Sequence, residues 1–282
     1  MPEKMSTTRS FRKMHGLGND FVIIDARDTP FRPSQRQIKA ITDRHEGVGC
    51  DQLIVLEPSD RASLFMRIFN TDGSEAESCG NATRCVASLL FAAEEHRPRI
   101  ETPAGVRNAW NDAGGRIWVD MGRPAFDWQD IPLAQAQDTL HLESLRRPQT
   151  GAPVALSLGN PHCVFFGVQD PDFADWAKDV ETHPLFPKRS NVHLVAVQDR
   201  LTLRQWVWER GVGLTRASGS GACAGAVAAI RRGLIDRHAD QPVEVQLPGG
   251  SLYIEWREEG QVWMGGAVSR AFSGQLDPEL LA

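Results

Sequence analysis

The sequence predicts an α+β protein built as two similar halves, each a set of short strands wrapped about one central helix. Three observations carry that expectation. Ser78-Cys79-Gly80-Asn81 and Ala217-Ser218-Gly219-Ser220 each place a small nucleophilic or proton-transferring side chain just before a glycine and an apolar run, and positions 79 and 218 lie 139 apart in a chain of 282. Gly18-Asn19-Asp20 and Gly159-Asn160-Pro161 repeat at nearly the same offset, 141. Most of the remaining chain falls into short β-rich runs rather than long periodic helices. Matched motifs in matched halves suggest two domains facing each other across one site, an arrangement suited to chemistry on opposite faces of a substrate.

The elements follow in order. Phe21 to Asp25 reads as a buried strand, and a helix starts after Pro33 with Ser34 as its N-cap and runs to about His45. Strands are expected at 52–56, 65–70, 99–102 and 116–121. Between them Cys79 introduces a helix whose Val86, Leu89, Leu90 and Ala93 form an apolar face. In the second half, 154–157 and 163–168 read as strands, 170–182 as a helix, and 191–198 and 201–209 as strands. The run from Gly219 to Ile230 is nearly all Gly, Ala, Ser, Cys and Val; a helix with no polar face belongs inside the protein. Arg231, Arg232 and Gly233 suit its C-terminal end by charge and cap chemistry. Strands at 243–247, 251–256 and 261–264 follow. The domain junction is placed near 122–130, where Pro124 interrupts the pattern, dividing the chain into 1–125, rejoined by 270–282, and 126–269.

Composition narrows the function classes. A formal charge of −5 argues against a nucleic-acid partner, which calls for a basic face, and no block of like charges forms a tail. There is no apolar run of about 18 residues and no secretory signal at the start, so the reading is a cytoplasmic protein without membrane attachment. Five scattered cysteines (Cys50, Cys79, Cys85, Cys163, Cys223) suggest reduced thiols, and no CxxC or Cys/His spacing suggests a metal. Neither GxGxxG nor a P-loop occurs, so no cofactor is expected. The partner expected is a small molecule, with room left for a homodimer.

Cys79 is the first chemical candidate. A thiol at a helix N-terminus feels the positive end of the helix dipole and nearby N–H groups, which lower its pKa. A buried cysteine is more often a small hydrophobe, and Cys85, Cys223, Cys50 and Cys163 read that way. The polar segment from Asn70 to Glu75 and the following Gly80-Asn81 set Cys79 apart. Asn19, Asn70, Asn160 and Asn191 each stand at a strand end or turn, where an asparagine is ordinarily a turn residue. Four of them, two related by the repeat, favour a ligand-binding set. Glu209-Arg210 ends an apolar strand before Gly211; Arg210 reads either as a bidentate carboxylate partner or as half of a surface ion pair.

Taken together, Met14 to Phe21, Gly47 to Gln52, Asp72 to Glu75 with Cys79-Gly80-Asn81, Gly159 to His162, Glu209 to Gly211, Gly219 to Cys223 and Leu247 to Gly250 resemble the diaminopimelate epimerases along nearly the whole chain. The resemblance implies two pseudo-symmetric domains, each a curved, mostly antiparallel sheet around a central helix. It also implies inversion of one α-carbon of LL-diaminopimelate to give the meso isomer, without pyridoxal phosphate or metal, for lysine and cell-wall synthesis. Cys79 then corresponds to the base for the LL isomer, with His162 as its polar partner, and Ser218 to the second acid/base, with Glu209 beside it. Gly80, Asn81, Gly219 and Ser220 would hold the reacting carboxylate at two helix N-termini. Asn19, Gln52, Asn70, Asn160, Asn191, Glu209 and Arg210 would bind the amino groups and the distal carboxylate.

Ser218 departs from that family, which has a second catalytic cysteine at this position. A free thiol titrates at about 8.5, and an alcohol is far less acidic. Ser218 is therefore a poor base at neutral pH, and the chain is expected to turn over slowly. Three explanations stay open: a deliberate Cys→Ser change, divergence to another racemase or to a single-thiolate lyase, and a non-catalytic amino-acid-binding homologue. Ala82, Thr83 and Gly265 are smaller departures, and the first ten residues extend beyond the family pattern.

Overall fold

The structure, a computed structural model, describes residues 8–237 and 241–281. The N-terminal extension lies, through residue 7, outside the described residues. In chain order the elements are β1 (Arg9–Gly16), β2 (Asn19–Asp25), α1 (Gln35–Thr42), β3 (Gln52–Glu57), β4 (Leu64–Asn70), β5 (Glu75–Ala76), α2 (Gly80–Ala92), β6 (Arg99–Thr102), β7 (Gly105–Asn111) and β8 (Ile117–Asp120). They continue with β9 (Val154–Ser157), β10 (Pro161–Phe166), α3 (Phe173–Glu181), β11 (Asn191–Val197), β12 (Thr202–Glu209), β13 (Gly213–Thr215), α4 (Gly219–Arg231), β14 (Val243–Leu247), β15 (Gly250–Trp256), β16 (Val262–Gly266) and β17 (Ser269–Leu276). The chain divides into two compact units, Met1–Val119 with Ala267–Ala282, and Asp120–Gly266.

The fold is α+β, and the two units share one internal topology. In unit 1, β2 and β3 are parallel, joined by a crossover through α1, and β4 pairs with β3 and β5 antiparallel but with β6 parallel. Unit 2 repeats this with β10 and β11 parallel through α3, and β12 antiparallel to β11 and β13 but parallel to β14. Parallel neighbours need a long crossover, and α1, α2, α3 and α4 occupy those four connections. The remaining pairings within each unit are antiparallel, among them β1–β2, β6–β7, β9–β10, β14–β15 and β15–β16.

Local chemistry accounts for the helices. Ser34 caps α1 through a capping box with Gln37, as its sequence suggests. The helix stops at Thr42 rather than His45 because Asp43 turns extended and its carboxylate accepts the His45 and Glu46 N–H groups. In unit 1, Ile38 and Ile41 join Phe11, Val22, Ile24, Leu53, Val55 and Leu276 in one buried cluster. In α4 every residue from Gly221 to Ala229 is buried, and β9 to β12 and β14 to β16 all pack on the helix. Small side chains permit that many strands to approach one helix. No described helix is long and apolar enough to cross a membrane.

Candidate active site

Each unit presents a helix N-terminus built the same way. Cys79 is the N-cap of α2 with extended backbone (φ −150°, ψ 106°), and Ser218 is the N-cap of α4 (φ −134°, ψ 119°). Each helix opens on glycine and runs for 13 residues. The first turn of a helix leaves N–H groups without intrahelical acceptors, so each tip offers hydrogen-bond donors and the positive end of a helix dipole.

At the α2 tip, Cys79 is half-buried and its side chain does not cap the helix. Its Sγ lies 4.0 Å from Asn19 Oδ1, which also accepts from Asn81 Nδ2 at 3.1 Å. Asn19 is oriented from behind: its Nδ2 donates to Asp51 Oδ2 at 2.8 Å, and a carboxylate only accepts. Arg44 bridges Asp51 and Asp20, and Lys13 pairs with Asp20 at 2.6 Å. Burial would raise the Asp20 pKa, but hydrogen bonds and charge from Arg44 and Lys13 hold the carboxyl well below its usual range. Gln52 and Asn70 face each other across β3 and β4; Gln52 Nε2 donates to Asn70 Oδ1 at 2.9 Å, and Asn70 Nδ2 to Ser74 Oγ at 3.0 Å. Asn81 Oδ1 is buried and has no partner among the described residues.

At the α4 tip, Ser218 is buried; its Oγ accepts from Gly221 N and donates to Glu209 Oε2 at 3.2 Å. The hydroxyl therefore acts as a helix cap as well as the neighbour of a carboxylate. Asn160 Nδ2 is 3.4 Å from Ser220 Oγ, and Asn160 Oδ1 is 2.9 Å from His162 Nε2. His162 is fully buried, and its other ring nitrogen lies 2.9 Å from His193 Nε2. Burial, reinforced by His193 and Arg210, holds the His162 pKa well below its ordinary value; burial alone brings His193 to about 3. Both rings are thus neutral at physiological pH. Asn191 is buried and ties two strands together, donating to Pro161 O at 2.9 Å and accepting from Arg210 N at 3.0 Å. The Arg210 side chain is exposed and donates to Lys188 O.

Cys79, Asn19, Gln52, Asn70, Gly80 and Asn81 belong to unit 1, and His162, Asn160, Asn191, Glu209, Arg210, Ser218, Gly219 and Ser220 to unit 2. Several supporting residues had not been singled out. Asp51 orients Asn19. Glu181, buried at the end of α3, accepts from Trp208 Nε1 and Gly211 N, both at 2.7 Å, and so fixes the turn that carries Arg210. His193 and Gln205 stand behind His162. Asp51 falls inside a quoted motif; the other three carry no signal, because their partners are distant in sequence.

A family model described as diaminopimelate epimerase matches residues 11–126 and 154–270. The chain is 51% identical over 271 residues to a diaminopimelate epimerase of Rhizorhabdus wittichii, covering 95% of each chain. It is 48% identical to one of Rhodospirillum centenum, covering 97% of this chain and 94% of that one. Among solved structures, a predicted epimerase from Pseudomonas aeruginosa has a TM-score of 0.66 at 17% identity, covering 95% of this chain and 99% of that one. A hydroxyproline epimerase from Agrobacterium vitis has a TM-score of 0.65 at 15% identity, covering 98% and 94%. Those two establish the fold alone. The family match across most of both units, with relatives near half-identical over almost the full length, establishes more: this chain belongs to the diaminopimelate epimerase family.

Proposed function

We propose that this chain is a cofactor-independent isomerase that interconverts LL- and meso-diaminopimelate by proton transfer at one α-carbon. The observation that carries this reading is the equivalence of the two helix tips, with Cys79 and Ser218 at the same N-cap position of helices in units of one topology. Cys79 takes the α-proton of the LL isomer as a thiolate. The N–H groups of Gly80, Asn81, Gly219 and Ser220 hold the carboxylate on which charge develops as the proton leaves, and donors fixed in place before the reaction stabilise that charge without reorganising. Asn19, Gln52, Asn70, Asn160, Asn191, Glu209 and Arg210 hold the rest of the substrate.

Position 218 returns the proton from the opposite face. Its serine hydroxyl can donate a hydrogen bond but is too weak an acid to exchange protons at a useful rate, and Glu209 accepts that hydrogen. The chain as written is therefore impaired in turnover while its substrate contacts remain. The setting is the cytoplasm, the product serves lysine and cell-wall synthesis, and a homodimer would leave this chemistry unchanged.

The half-reaction tests the reading. LL-diaminopimelate incubated in D₂O is expected to exchange its α-proton slowly without net inversion, and Cys79→Ala is expected to abolish the exchange. Exchange that survives in Cys79→Ala would remove Cys79 from the mechanism. Ser218 also favours a second reading, an amino-acid-binding homologue; that one predicts binding with no exchange at all.

A further inference from the structure

Behind Asn160 runs a row of buried polar side chains in which every hydrogen-bond direction is determined. The carbonyl of Gly221 in α4 accepts from Gln205 Nε2 at 2.8 Å. A carbonyl has no proton to offer, so this contact orients the Gln205 amide with its nitrogen toward α4. The same nitrogen lies 3.1 Å from His193 Nδ1, which is consequently the bare, accepting nitrogen of that ring. His193 then carries its proton on Nε2, 2.9 Å from His162 Nδ1. That nitrogen accepts in turn, and His162 donates from Nε2 to Asn160 Oδ1 at 2.9 Å.

The arrangement has a cost that makes the direction informative. Gln205 Oε1 is buried with no partner among the described residues. Turning the amide over would leave the nitrogen there instead and set two oxygens against each other at Gly221. The sequence of α4 also makes room for the row. A Cβ at Gly221 would lie 2.7 Å from the His193 ring, and one at Gly225 would lie 2.1 Å from Gln205 Oε1. Two of the glycines in this helix are thus required by the polar side chains beside them.

We propose that His193 and Gln205 are positioning residues which, acting through His162, hold Asn160 with its oxygen turned inward and its NH₂ presented to the substrate as a donor. His162 serves this row with both ring nitrogens. An asparagine held this way meets a carboxylate oxygen and rejects an ammonium group, which offers only protons. The proposal rests on the reading of Asn160 as a substrate contact.

Long-range ¹H–¹⁵N spectra of the full chain labelled with ¹⁵N-histidine test it at pH 7. Both His162 and His193 are expected as neutral Nε2–H tautomers. Gln205→Glu keeps the shape but offers His193 Nδ1 only an acceptor; it is expected to convert both rings to the Nδ1–H form, turn Asn160 over, and weaken diaminopimelate binding about tenfold or more by calorimetry. An Nδ1–H tautomer at either ring of the parent protein would overturn the proposal, and that spectrum suffices if Gln205→Glu does not fold. Reversed tautomers in Gln205→Glu with affinity unchanged would overturn it as well. A parent protein with both Nε2–H tautomers that binds no diaminopimelate would instead sink the substrate reading, and with it the ligand half of the proposal.

Discussion

Gly225→Ala sets two opposing effects against each other, and the structure decides the sign. Alanine is favoured over glycine inside a helix by about 1 kcal/mol. Against that, the new Cβ would sit 2.1 Å from Gln205 Oε1, 3.0 Å from Gln205 Cδ and 3.4 Å from Val195 Cγ2. Gln205 is 1% exposed and cannot swing into solvent. It must shift by more than an ångström, which breaks or stretches its hydrogen bonds to Gly221 O and His193. Overpacking a core costs about 1–3 kcal/mol, and each buried hydrogen bond lost costs about 1–3 more. With one of those hydrogen bonds lost, the net expectation is a loss of about 1–5 kcal/mol, or roughly 2–20 °C in melting temperature for a unit of this size. Calorimetry of the parent and of Gly225→Ala measures it. In a Gln205→Ala background the clash is gone, and the same substitution should become neutral or stabilising by up to about 1 kcal/mol. A rise in melting temperature for Gly225→Ala alone would refute the reasoning.

Two further outcomes follow from the buried chemistry. Cys79 is half-buried while Cys50, Cys85, Cys163 and Cys223 are buried, and burial pushes the Cys50 thiol up to about 11, Cys85 to about 12 and Cys163 higher. Iodoacetamide at pH 8 should therefore label Cys79 first in the folded protein, as read by peptide mass mapping; comparable early labelling of another cysteine would contradict this. The Asp20 pKa is held down by Arg44 and Lys13 against its burial. A depressed carboxylate contributes stability that is present above its unfolded pKa of about 3.9 and is lost as pH falls toward its folded value. The urea midpoint of the parent should fall below pH 4 more steeply than that of Asp20→Asn, and equal slopes would argue against the pairing.

The two helix tips were more legible than several of the strands around them. Both helix tips could be read because an N-cap side chain followed by glycine is a local signal, and Ser34 was readable for the same reason. β1 and β17 were not anticipated, although they pair with each other along their length. β17 buries only Leu276, so it shows no alternation of apolar and polar residues. β7 buries only Ala109 and fails for the same reason. The expected helix at 170–182 and strand at 163–168 appear as Phe173–Glu181 and Pro161–Phe166, with ends shifted by up to three residues. The link from Gln205 to His162 was invisible because Gln205, His193 and His162 lie on three different strands, β12, β11 and β10, and meet only in the fold. The abundance of small residues in α4 was readable as burial, whereas the particular need for Gly221 and Gly225 depends on side chains far away in sequence.

The central claim is that the two helix N-caps carry the acid–base groups of one proton relay, and Ser218→Cys measures it most directly. A thiol at position 218, beside Glu209 and at the tip of α4, should raise the epimerisation kcat for LL-diaminopimelate by about 10²–10⁴-fold over the parent, the span that a positioned acid or base supplies. A correctly folded Ser218→Cys protein that binds diaminopimelate and shows no gain in kcat would contradict the claim.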